Sequence, residues 1–242
     1  MMELTAGEWQ AAQEALKKSL EISKRYGMET AYMVEIYNSW LQLNTGNLEL
    51  AEKYAQDFLA LKDKKISSIV AVNLVLGQIR LEQGRVDEAK ALFEASVEAF
   101  KPWEFTTFPL HHIETLKHLT SIYATQGQLE KADETAKWTR RLAETLKSDA
   151  ALALALEAEA AQLLAVDDKN GAKEAYLKSL SLWERIGWPY YAAKANAAYT
   201  DAFMETDPDG SKKRLVQAAE TFRKLGAKRD LEKAERKLSK RT

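Results

Sequence analysis

One short string, repeated at nearly even intervals, decides what this chain can become. It reads glycine, any residue, a bulky apolar residue, a polar or acidic residue, any residue, alanine. It stands complete at Gly46, Leu48, Glu49 and Ala51, at Gly84, Val86, Asp87 and Ala89, and at Gly127, Leu129, Glu130 and Ala132. Gly7, Trp9 and Ala12 give it in outline, and weaker forms run from Asp167 to Ala172 and from Thr206 to Ser211. The six anchors are separated by 39, 38, 43, 40 and 39 residues. Self-similarity at such a period is the mark of stacked structural repeats, which grow in one direction and need no single compact centre.

Each position in the string has a physical task. Glycine after an apolar-periodic segment takes the left-handed backbone that ends a helix at low cost. The acidic residue meets the positive end of the next helix dipole. Alanine lets two antiparallel helices approach closely, and a larger apolar residue four positions on (Leu16, Phe93, Tyr176) fills the space behind it. The pattern predicts twelve helices near 8–26, 30–44, 48–62, 66–83, 86–101, 109–126, 129–147, 149–166, 169–186, 190–205, 211–225 and 228–240. Gly27, Gly187 and Gly226 each follow an apolar or aromatic residue and read as caps of second helices. Pro102, Pro109, Pro189 and Pro208 fall between the segments, and no alternating β-branched run is long enough for a strand. The fold class is all-α.

Charge narrows the function. Thirty-five basic residues against 36 acidic ones leave a net −1, which does not favour broad binding to nucleic acid or anionic lipid. There is no cysteine, hence neither a disulfide framework nor thiolate chemistry. The first residues lack the apolar core of a signal peptide and no run reaches membrane-spanning length. A cytoplasmic protein without a membrane partner is the expectation.

The stretch Val70 to Lys101 resembles a complete tetratricopeptide (TPR) helix pair, with Leu76 and Gly77 in the first helix, Gly84 at the turn, and Ala89, Phe93 and Ser96 in the second. Leu119 and Tyr123 fit the same first-helix pattern. The period exceeds the usual 34 residues, so the chain is similar to the extended arrays of MalT-type bacterial regulators and kinesin light chains. The resemblance implies a right-handed superhelical α-solenoid over residues 1–242. It would comprise a half-repeat at 1–29, repeats near 30–65, 66–107, 108–147, 148–188 and 189–226, and a capping helix at 227–242. The last helix carries Leu231, Ala234 and Leu238 on one stripe among charged residues, as a cap should. Gly7 opens a second helix whose first-helix partner is missing. The start of the chain therefore reads as a fragment of something longer or as a face for self-association, with Trp9 near that face.

In TPR arrays the first helices line a concave groove where partners bind. By register the groove positions are Met33, Ile36 and Trp40, then Leu74 and Gln78, then Lys117 and Ser121, with Glu157 and Asn196 in later repeats. The lysine, asparagine and arginine of the carboxylate clamp are missing, so an apolar or amphipathic peptide fits better than an acidic tail. The alternative for Trp40 and Leu74 is packing between repeats. The loop KPWEFTTFPLHH explains the interval of 43 and gathers Phe100, Trp103, Phe105 and Phe108, either as a binding hot spot or as a cover over adjacent helices. His111, Glu114 and His118 share one helix face with donor atoms zinc would accept, but without HExxH spacing. A solvated polar face is the plainer reading. There is no phosphate loop, no GxSxG elbow and no other catalytic signature, and no cofactor is implied. The expectation is a non-catalytic protein- or peptide-binding scaffold. The alternative implied by the MalT resemblance is a small-ligand-sensing or autoinhibitory domain of a larger signalling protein.

Overall fold

The computed structural model describes residues 8–26, 31–60, 66–100 and 109–239. Among these residues there are twelve α-helices and no strand. They are α1 (Trp9–Tyr26), α2 (Ala31–Thr45), α3 (Leu48–Ala60), α4 (Ile66–Glu82), α5 (Val86–Phe100), α6 (Pro109–Thr125), α7 (Leu129–Leu146), α8 (Asp149–Ala165), α9 (Lys169–Ile186), α10 (Pro189–Phe203), α11 (Pro208–Leu225) and α12 (Lys228–Ser239).

The turns bear out the repeated string. Gly46, Gly84 and Gly127 all have positive φ, and Asp167 takes the same left-handed place with φ 62°. At each of these four turns the following amide reaches five residues back, as in Gln128 N to Tyr123 O and Asp168 N to Leu163 O, closing the helix end. The turn at Thr206 differs. It has no positive φ, and Asp207 N instead bonds Phe203 O at 2.7 Å. Asp207 then caps α11 by accepting from Gly210 N at 3.1 Å, so α11 begins at Pro208 rather than at residue 211. The prolines at 109, 189 and 208 do not lie between helices. Each is the first helical residue, where a missing N–H costs nothing.

From α1 to α5 and from α7 to α12 each helix packs against the next, the helix-pair arrangement of a TPR-like α-solenoid. The helices fall into two compact units, and the boundary lies within α6, after Thr115. In the first unit α2 also packs on α4, so that first helices stack on first helices. Its core joins Ile36, Leu43, Ala51, Ala55 and Phe58 to Ala71, Val72, Val75, Leu76 and Ile79. In the second unit α7 and α9 both pack on α8, which is why α8 is apolar nearly all round and buries eight residues, six of them alanine. Trp183, Tyr199, Phe203 and Phe222 are its largest fully buried side chains. At the end of the chain α12 packs on α11 and buries Ala234.

Candidate binding face

The groove positions of the first unit are mostly consumed by packing. Ile36 and Leu74, two of the expected groove positions, are each 1% exposed, which matches the alternative of packing between repeats. Both are apolar residues that gain more from the core than from solvent. Gln78 is buried too, and its amide donates to Glu114 Oε1 at 3.0 Å across first helices α4 and α6. Met33 and Trp40 are half-buried against the core. Trp9, expected near the N-terminal face, is buried and meets Trp40 edge-on at a centroid distance of 6.0 Å, a geometry that suits two ring quadrupoles.

In the second unit two nominated residues bind each other. Lys117 Nζ lies 3.2 Å from Glu157 Oε2, and both side chains are 12% exposed. The other carboxylate oxygen accepts from Trp183 Nε1 at 2.7 Å and Ser179 Oγ at 3.2 Å. A charge this far from water has to be paired and hydrogen-bonded, and here each carboxylate oxygen is. Asn196 is also buried, accepting from Arg214 at 3.2 Å. Ser121 is half-buried and donates to Lys117 O within its own helix.

No group of three His, Cys, Asp or Glu able to hold a metal occurs among the described residues. Glu114 is turned toward Gln78. Burial pushes His111 below its usual range, with Glu114 opposing, and pushes His118 well below, with Lys117 and Lys194 acting in the same direction. His112 is buried and stacked on Phe100 with centroids 4.3 Å apart, and burial pushes it down to about 4. Phe100 is therefore a core residue rather than an exposed aromatic. Trp103, Phe105 and Phe108 lie outside the described residues.

Sequence reasoning missed two clusters in the second unit. Trp183 stacks with Tyr191 at 4.9 Å and Trp188 at 5.8 Å. The density of rings around Gly187 was the available signal. The second cluster centres on Asp207, which accepts from Tyr199 at 2.7 Å and Lys173 at 2.9 Å. These donors, Tyr199 first, hold its carboxyl down at about 2.

Helix pairs closed by a left-handed turn residue, with a ring of the second helix set against a small residue of the first, place the fold in the tetratricopeptide-like class. Residues 70–101 match the family model of the tetratricopeptide repeat. Among solved structures the chain is similar to BtubC (BKLC) from P. vanneervenii, with a TM-score of 0.53 and 13% identity over 98% of this chain and 90% of that one. At that identity the likeness is one of fold. No curated protein matches the chain.

Proposed function

We propose that the repeats of residues 1–242 act together as a non-catalytic, cytoplasmic scaffold that binds a protein or peptide along the face of the first helices. The observation that carries this reading is the helix pair at 70–101, matched as a tetratricopeptide repeat and echoed at near-constant intervals on either side. Such stacked pairs present extended surfaces suited to segments of other chains. With Ile36, Leu74 and Gln78 engaged in the interior, the half-buried Met33, Trp40 and Ser121 are the positions left to meet a partner. Lys117 contributes to the face indirectly, by fixing Glu157. Trp103 and Phe105, outside the described residues, remain proposed partner-binding residues on their aromatic chemistry alone.

The second reading, a small-ligand-sensing or autoinhibitory domain of the MalT type, rests on the extended repeat interval. One pair of measurements separates the two. A scaffold captures a defined protein from native lysate, and Ser121→Arg abolishes that capture while leaving the melting temperature near the parent's. If no protein is retained and a small metabolite alone raises the melting temperature, the sensor reading replaces it.

A further inference from the structure

First helices of neighbouring repeats are joined by polar links at two spacings, and the links change character at α12. Gln78 with Glu114 spans 36 residues and Lys117 with Glu157 spans 40, and both pairs are largely withdrawn from water. The links between α10 and α12 repeat these spacings. Tyr190 donates to Asp230 Oδ2 at 2.8 Å across 40 residues, and Lys237 Nζ lies within 2.7 Å of both Asp201 oxygens across 36. Here the ion pair stands in water, with the Lys237 and Asp201 side chains 39% and 58% exposed. Arg223 of α11 meets Glu235 at 2.7 Å in a pair just as open. Apolar contact does not take their place. α9 and α10 each bury seven residues and α11 five, whereas α12 buries Ala234 alone, with Leu231 and Leu238 half-buried. A buried methyl group stabilises far less than a buried ring, so ionic contacts carry a large share of the hold on α12.

We propose that α12 is a salt-sensitive latch: as ionic strength rises it leaves α10 and α11 as a unit, while the helices before it stay folded. Exposed ion pairs are weak and are screened by salt, whereas the buried contacts of α9 to α11 are not. A helix of twelve residues is marginal in water by itself, so α12 loses its own hydrogen bonds once it is off α11. Its departure uncovers the Tyr190 hydroxyl and the side of α10 that carries it. Access to this part of the first-helix face is thereby set by ionic strength.

Amide hydrogen exchange mapped by peptide, at about 0.01 M and about 1 M salt, tests this, because the screening length falls from about 30 Å to about 3 Å between them. Each exposed pair contributes about fivefold at most, so protection of residues 228–239 should fall by about tenfold, with 169–220 changing by less than about twofold. Asp201→Lys should produce a similar loss at low salt. Adding Lys237→Glu should restore most of it, which a change of packing alone would not do. Protection of 228–239 that ignores salt in the parent, a loss shared equally by 149–225, or a double variant no better protected than Asp201→Lys would each overturn the proposal.

Discussion

Gly77 shows how a single side chain can determine a helix pair. A methyl group added there would stand inside the Phe93 ring, so the second helix comes close only because residue 77 has no Cβ. Gly77→Ala should therefore cost about 1–3 kcal/mol through overpacking, and a smaller side chain at 93 should recover part of it in the double variant, as urea unfolding would show. Asp167 makes the opposite case. It holds φ 62° where three other turns use glycine, a conformation that costs a non-glycine residue about 1–2 kcal/mol. Asp167→Gly should raise stability by no more than about 1 kcal/mol, since glycine also loses more chain entropy on folding. A lower melting temperature in that variant would show that Asp167 is held by something other than the turn. Both residues were legible in the sequence, one as the glycine out of place and the other as the missing anchor.

At the level of the helix pair, the repeats solve one packing problem with different residues. At the last five anchors the first-helix site seven residues before and the second-helix site nine after are all buried: Gly77 with Phe93, Ala160 with Tyr176, Ser39 with Ala55, Thr120 with Ala136, Tyr199 with Leu215. A large ring on the second helix goes with a small residue on the first, and a larger first-helix residue with a smaller partner, as dense packing requires. Lys117 and Glu157 occupy equal register positions one interval apart, so their pairing could have been read from the period. The indole and hydroxyl donors that complete it could not, because they come from the second helix. Lys117→Met should cost about 3 kcal/mol by leaving a buried carboxylate unpaired, and adding Glu157→Gln should recover most of that, since glutamine still accepts from Trp183 and Ser179 without charge. The α11 cap makes a pH prediction. Donors from Tyr199 and Lys173 hold Asp207 at about 2, so its ionised form stabilises the fold above the ordinary value of 3.8 and that contribution is lost as pH falls toward 2. Asp207→Asn keeps the cap on Gly210, and urea midpoints of variant and parent should converge in acid and separate above about pH 4.

Across the whole molecule, the interval of the turn string was enough to specify helix number, order and pairing, because each turn is a local event written in adjacent residues. Which first-helix positions face a partner was not legible. Register tells which side of a helix a residue occupies, but burial depends on how the neighbouring pair is rotated, and that is set by distant side chains such as Phe58 and Trp183. Stability in such arrays is close to a sum of neighbouring contacts. Gly77→Ala should therefore raise amide exchange in α4 and α5 and leave α9 to α11 near parental protection; a uniform rise would point to a single cooperative block.

The polar links between successive first helices carry a different consequence, for how such a chain can be edited. Gln78 with Glu114 and Lys117 with Glu157 each join unlike partners in neighbouring repeats. Deleting, duplicating or shuffling one repeat would orphan a buried amide or charge on each side of the cut. These repeats are alike in outline but not interchangeable, and any shortened or extended descendant must carry compensating substitutions at both new seams.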